Sequence, residues 1–510
     1  MSAAEQVKEK LDFKHTLNLP KTDFPLRAET KKNDPRISAR WESEGLPSAA
    51  QRCNDGKEKF ILHDGPPYAN GHIHLGHAYN KILKDVIAKS RRMMGYHVPY
   101  VPGWDCHGLP IEQKVSQEQP DIKGAELMRA CRAYAARWVD TQRSEFKQLG
   151  LLMDWEHPYV TMDLAYEAAT LRSFAQLVRS GFVERKNKTI PWCPTCQTAL
   201  ASAEIEYEDR TDPSIYVRFE VEQGWAKRLL PQLTGSISFV VWTTTPWTLP
   251  LNRAVLIKEG AEYAVLNAGG RYLIVGAPLV EKIVPLLAKA GIDSVSVVAQ
   301  LSAAACAGVQ LHHPLNPDRL VPVIIDPSVA LDEGTACVHC APGCGPSDYE
   351  VAVKNGLEIY SPLTSNGRYA RGIEPVELEG MPVADGQLWV LRQLEMEGRL
   401  LFAGKITHSY PHCWRCHKGL IFRATPQWFC LLDHNGAKER ALDAIEKIAF
   451  YPAQGRNFLR ATVESRWEWC LSRQRAWGTP IPALLGESGS VFIDADFIEK
   501  VAERVALEGV

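Results

Sequence analysis

The chain has 510 residues, 45% of them apolar and 23% charged, with a formal net charge of −2. That balance describes an ordinary globular protein of about three domains at roughly 150 residues each. It excludes a polycation that coats nucleic acid, though not a local basic patch that reads one. No apolar run is long enough to span a bilayer, and Met1 to Lys21 lacks the basic start and apolar middle of a signal peptide. A cytoplasmic protein with no membrane partner is expected.

Residues 1–50 are polar, with short helical segments broken by Pro20, Pro25 and Pro35, and read as an N-terminal extension. Residues 51–200 give strand, helix, short strand and two long helices. Phe60-Ile61-Leu62 reads as a short buried strand. It leads through a Gly/Pro loop, His63 to His74, into a helix with an apolar stripe at Tyr79, Ile82, Leu83, Val86 and Ile87, ended by Gly95. The first turn of that helix carries His74 and His77. Its unpaired N–H groups and positive dipole end suit a phosphate chain, and two imidazoles beside it can donate hydrogen bonds as charge builds up. Taken alone, the two histidines fit a buried pair at a helix start better. Further helices are expected from Gly124 to Gly150 and from an Asp163 cap to Gly181, an alternation that implies a parallel sheet with right-handed crossovers.

The character changes over residues 201–400. β-Branched runs dominate at Ile215–Val217, Ile237–Trp242, Tyr263–Leu266, Leu273–Val275, Val321–Ile325 and Ala336–His339, separated by Gly and Pro turns. These predict a barrel or sandwich, interrupted by one helix at Val280–Ala290. Residues 401–510 return to the first pattern. The fold class expected is therefore α/β, a Rossmann-like nucleotide-binding domain interrupted by an inserted β-rich barrel.

Thirteen cysteines in a chain without an export signal are expected to be reduced thiols or metal ligands. Cys193-Pro194-Thr195-Cys196 and Cys413-Trp414-Arg415-Cys416 have the spacing of two knuckles of one four-thiolate Zn²⁺ site. If the four meet, everything between positions 196 and 413 leaves and returns at one place. The alternative is four free thiols, with His412 and His417 as substitute ligands.

The run His74-Leu75-Gly76-His77 resembles the first nucleotide-binding motif of class I aminoacyl-tRNA synthetases. Asp64 to Gly71 before it and Asn80 to Asp85 after it resemble the isoleucyl branch of that family. So do Ile421 to Phe429 and Trp469 to Gly478. A zinc-protease helix is excluded, because its histidines stand four apart with an intervening Glu. The resemblance implies ATP-dependent activation of isoleucine, with Mg²⁺, and transfer to tRNA(Ile). His74 and His77 would be catalytic. ATP would lie on Gly65, Pro67, Tyr68, Asn70, Gly71, His74, Gly76 and His77. Asp105 would hold the substrate ammonium, and Gly65, Pro66 and Trp477 would line its pocket.

The same resemblance places a proofreading site for valyl-tRNA in the insert, because one methylene discriminates by only about 1–3 kcal/mol, a magnitude long associated with this enzyme type. Its parts would be Thr243, Thr244, Thr245, Thr248, Asn252, His339 and Asp348. Cys344 stands where a histidine is usual, and Ser347 where a second acid can occur. Cys337, His339, Cys340 and Cys344 could alternatively form a metal site, the basis of a weaker zinc-hydrolase reading. The Lys-Met-Ser-Lys-Ser motif of the family is not present. The chain therefore reads as the N-terminal part of a longer enzyme, with a separate chain as a possible source of the remainder. The alternative is a truncated, non-ligating protein that acts only as an editing deacylase or tRNA-binding protein.

Overall fold

The computed structural model describes residues 13–19, 22–24, 27–487 and 489–510; most of the extension's first 26 positions therefore lie outside the described residues. The chain divides into two compact units. One holds the residues up to Thr170 with Ala476–Pro480 and Ala502–Val510; the other holds Leu171–Arg475 and Ile481–Val501. Among the described residues, no helix is long and apolar enough to cross a membrane.

The first unit is mainly helical, with helices Thr30–Ser43, Leu46–Arg52, Leu75–Met93, Leu109–Glu118 and Gly124–Gln148. Gly124–Gln148 buries Leu127, Cys131, Ala135, Val139 and Phe146, the helical repeat that the sequence announced. The parallel pairing expected here is present but brief. Gly103–Trp104 pairs in parallel with Tyr159–Val160, and single parallel bridges join Lys59 to His97 and Tyr68 to Asp105.

Two expectations are corrected. Phe60–Leu62 forms no regular strand, and Ile61 is 71% exposed. The helix after it buries Lys81, Asp85, Ala88 and Arg92, while the stripe from Tyr79 to Ile87 faces solvent. Ion pairs explain the inversion. Asp64, fully buried, takes both Lys81 and Lys84, and Asp85 takes Lys89 at 2.5 Å, so the polar face enters the interior already compensated.

In the second unit four of the six β-branched runs join a closed barrel, and the other two, Tyr263–Leu266 and Leu273–Val275, lie in strands paired beside it. Its strands are β1 (Ile205–Val221), β2 (Ile237–Thr243), β3 (Ala254–Lys258), β4 (Gln310–His313), β5 (Asn316–Asp326) and β6 (Cys337–Cys340). Pairing runs β1–β2–β6–β3–β5–β4 and returns from β4 to β1. Closure leaves no free edge within this ring of six strands. The interior is apolar, with Ile215, Val217, Phe219, Phe239, Val255, Ile257 and Val323 fully or almost fully buried. The expected helix appears as Val280–Lys289.

Strand Leu400–Cys413 runs antiparallel along β1 for its whole length, from Leu400 against Val217 to Cys413 against Ile205. A separate four-stranded sheet pairs Val183–Cys193 with Ile421–Leu431. The barrel is thus entered and left side by side, as the cysteine spacing predicts.

Candidate functional site

The histidine pair sits at the start of helix Leu75–Met93. His74 is the N-cap in extended conformation. Its Nδ1 accepts from the Gly76 N–H at 3.1 Å, while His77 Nδ1 accepts from the His74 N–H at 3.3 Å. The two rings stack with centroids 3.8 Å apart. Both Nδ1 atoms being acceptors, the hydrogen bonds assign the N–H to Nε2 on each ring, free to donate outward. Burial, then the charges of His74 and Lys81, lower the His77 pKa and keep that ring neutral. Glycine at 76 has a steric reason: a Cβ there would lie 3.0 Å from the His74 ring.

The preceding loop is clamped by helix Gly124–Gln148. Gln142 donates to Tyr68 O at 3.0 Å and Gly71 O at 2.8 Å, and Tyr134 donates to Asn70 Oδ1 at 2.7 Å. Glu145 accepts from the Ile73 N–H at 2.9 Å and pairs with His72. The loop is also stitched to the Asp105 segment, through Ala69 N–H to Asp105 O and Asp105 N–H to Pro67 O, both 2.9 Å. Burial raises the pKa of Asp105, the penalty on a carboxylate that an arriving cation would relieve.

Trp477, distant in sequence, completes this site. Its indole donates to Cys106 O at 2.6 Å, and its carbonyl accepts from the Gly108 N–H. Glu112 Oε2 accepts from both the Ala476 and the Trp477 N–H groups at 2.9 Å. The structure thus brings Asp105 and Trp477 onto one segment. Gly65, exposed, follows Asp64 directly, and its carbonyl takes a 3.4 Å bond from Lys81. Glu112, Gln142 and Glu145 were missed from the sequence, where each reads as an ordinary helical polar residue.

The insert's residues surround a cavity of about 510 Å³ in the barrel unit, lined by Thr243, Thr244, Thr245, Thr248, His339 and Asp348 among others. Strand β2 ends on Thr243, Thr244 and Thr245 follow it, Thr248 lies in the 3₁₀ turn Pro246–Leu251, and β6 sets His339 opposite Val255 of β3. A relay of polar atoms follows. Thr243 and Thr245 hydroxyls lie 3.4 Å apart, Thr245 and Thr248 3.3 Å, and Thr248 Oγ1 is 2.7 Å from His339 Nε2. Asn252, fully buried behind the wall, donates to His339 Nδ1 at 2.9 Å and to Ala254 O at 2.8 Å.

That bond makes His339 Nε2 the N–H donor, and burial lowers its pKa to about 4, so the ring is neutral at physiological pH. Both ring nitrogens are engaged, which leaves none for a metal; the cysteine–His339 metal site is not formed among the described residues. Asp348, in the first turn of helix Pro346–Asn355, accepts from the Ala341 N–H at 2.8 Å. Burial pushes its pKa up to about 6. A Cβ at Gly345 would lie 2.6 Å from its Oδ2, so only glycine leaves the carboxylate room to fold back.

The four knuckle cysteines converge, with all ligand sulfurs within 4.8 Å of one another and Cys193 Sγ 3.5 Å from Cys416 Sγ. A tetrahedron with metal–sulfur bonds of about 2.3 Å needs sulfurs just under 4 Å apart. The knuckles are built alike: Gln197 N–H to Cys193 O at 2.7 Å matches His417 N–H to Cys413 O at 2.8 Å, and both donors have φ near +50°. Four thiolates in this arrangement can hold Zn²⁺. His412 Nδ1 instead meets Tyr410 O, and His417 meets Glu206.

The sequence family described as tRNA synthetases class I (I, L, M and V) matches residues 36–509. An isoleucine–tRNA ligase of Nitratidesulfovibrio vulgaris (strain DP4) is 45% identical over 502 residues, covering 97% of this chain and 53% of the relative. One from Thermotoga petrophila is 44% identical over 505 residues, at 98% and 53%. The chain spans about half the length of the curated relatives it matches. Among solved structures, an Agrobacterium radiobacter K84 LeuRS–tRNA–LeuAMS complex aligns over 91% of this chain and 52% of that one, at 17% identity and a TM-score of 0.36, too distant to bear on the argument. With the histidine motif, the stitched loop and the paired knuckles in place, this chain belongs to the class I tRNA synthetases.

Proposed function

We propose that the chain carries the activating and proofreading parts of an isoleucine–tRNA ligase that works in the cytoplasm. The carboxylate of isoleucine would attack the α-phosphorus of ATP, pyrophosphate would leave, and the acyl group would pass to tRNA(Ile). His74 and His77 would donate Nε2–H bonds to phosphoryl oxygens, on a loop formed by Gly65, Pro67, Tyr68, Asn70, Gly71 and Gly76. Asp105 would take the ammonium, and Pro66 and Trp477 would bound the side chain. Mg²⁺ would arrive with the ATP phosphates. Zn²⁺ on Cys193, Cys196, Cys413 and Cys416 would fasten the base of the insert. We assign the catalytic part to residues 51–200 and 401–510 and the editing insert to 201–400.

The observation that carries this reading is the outward pair of imidazole N–H groups at a helix N-terminus, with the Asp105 segment stitched to the same loop and Trp477 bonded to that segment. In the barrel cavity, water would attack the ester of valyl-tRNA. Asp348 would hold the ammonium, His339 would limit side-chain size, and Thr243, Thr244, Thr245 and Thr248, backed by Asn252, would position the ester and the water. A second reading, a protein that deacylates or binds tRNA without ligating, draws support from the self-contained threonine–His339–Asn252 relay in the barrel cavity.

Isoleucine-dependent exchange of pyrophosphate into ATP tests the proposal. Exchange is expected, falling at least 100-fold in His77→Ala. Absence of exchange alongside valyl-tRNA hydrolysis sensitive to Thr248→Ala would select the second reading, and absence of both would overturn the two together.

A further inference from the structure

The main chain at Trp477 is fixed by Glu112, and its indole N–H by Cys106 O. Two further groups rest against the indole itself. The His107 ring lies 4.8 Å from it, centroid to centroid, tilted by 58°, and the Arg132 guanidinium stands 5.5 Å from the ring centroid. Both groups bond to a single carboxylate oxygen. Glu167 Oε1 accepts from Arg132 Nη2 at 2.7 Å and from His107 Nε2 at 3.1 Å.

Glu167 lies in the first turn of helix Leu164–Arg179 and is fully buried. A carboxylate in such a place is costly unless donors surround it. Its second oxygen accepts from the Val510 N–H at 3.2 Å, and Arg132 also donates to Met162 O. All of these groups belong to the first unit.

His107 extends the connection toward the substrate ammonium. Its main-chain N–H donates to the Asp105 carboxylate, which offsets part of the burial that raises that group's pKa. Its carbonyl accepts from the Tyr68 hydroxyl at 2.8 Å, on the loop before the histidine pair. One buried carboxylate thus stands behind both Trp477 and the segment that carries Asp105.

We infer that Glu167 is a positioning residue for the amino-acid substrate, fixing the plane of the Trp477 indole through His107 and Arg132 and so the width of the side-chain pocket. The inference rests on the proposed activation of isoleucine, which makes Trp477 a wall of that pocket. Isoleucine and valine differ there by one methylene, so a small tilt of the wall changes the choice between them. Glu167→Gln keeps the volume but replaces one acceptor oxygen by a donor amide, which sets donor against donor beside His107, Arg132 or Val510.

The test is calorimetric titration of the 510-residue chain with isoleucine, valine and ATP. In Glu167→Gln, isoleucine affinity should fall about 10-fold or more while ATP affinity holds. The isoleucine-to-valine affinity ratio should fall about 3-fold or more. His107→Phe keeps a ring against the indole and loses the bond to Glu167, so it should act alike, and the double variant should be no worse than the weaker single variant. Should Glu167→Gln fail to fold, His107→Phe decides alone by the same affinity and ratio. Unchanged isoleucine affinity, equal losses for isoleucine and valine, or additive single effects would each overturn the inference and leave the activation reading standing. No isoleucine binding by the unaltered chain would remove the activation reading, and the inference with it.

Discussion

The two candidate sites are pre-organised by different means. In the barrel, the threonines, His339 and Asn252 satisfy one another, and the closed ring of strands holds them. At the histidine pair the donors point outward; the loop is held by Gln142 and Glu145 reaching in from another helix, and Trp477 is held by Glu112. A site built from one closed sheet fails through its internal network. One assembled from a clamped loop fails at its clamps, which lie away from the chemistry.

Four perturbations separate these cases, from the largest effect to the smallest. Removing Zn²⁺ by chelation, or Cys413→Ser, should loosen the knuckles at the foot of β1, with a loss on the order of 5 kcal/mol read as a fall in the barrel unit's melting transition. An unchanged transition would mean that the four sulfurs converge without metal. Glu112→Ala removes the acceptor of two N–H groups, one of them on the buried Trp477. It should cost about 2–3 kcal/mol in the first unit and raise the KM for isoleucine at least 10-fold, while Glu112→Gln recovers part and valyl-tRNA hydrolysis does not move.

Asp348→Asn should have the opposite sign for stability. The folded carboxyl titrates near 6 against an ordinary value of 3.8, so its ionised form is disfavoured by folding. The cost is absent below about pH 4, grows between the two values and is complete above 6. The variant should therefore gain about 1–3 kcal/mol at pH 8, a gain that vanishes at pH 4, while valyl-tRNA hydrolysis is lost at every pH. A pH-independent difference would contradict the burial argument. Gly76→Ala should change stability by less than about 1 kcal/mol, because helix propensity gained offsets crowding against the His74 ring. Pyrophosphate exchange should still fall, as that ring is displaced.

Much of this was legible in the sequence because short-range rules govern it. Caps at Asp163 and glycines at 95 and 181 end or begin helices where expected, and β-branched runs became strands. The two Cys-x-x-Cys pairs pointed to a meeting of positions 196 and 413, far apart in the chain, and the four sulfurs do converge. The helix after the histidine motif misled, since periodicity identifies an amphipathic helix but not which side is buried when ion pairs compensate the polar one. Phe60–Leu62 misled for a related reason: an apolar run describes a strand, whereas its pairing depends on a neighbour. Glu112 carried no signal, for its partners are main-chain groups more than 360 positions away. Barrel closure through β4 and β1 likewise rests on pairings that no local pattern encodes.

The ladder between β1 and Leu400–Cys413 holds thirteen paired positions, in one continuous register from Phe402 to Cys413. The barrel's entry and exit are consequently at fixed separation, one strand spacing of about 4.8 Å, whatever lies beyond them. A segment attached in this way can grow, shrink or be exchanged without stretching either flank, since the gap to be bridged never changes. The ribbon is therefore the natural place to excise the barrel with a two-residue turn, and the place where a lineage could have acquired it in one step.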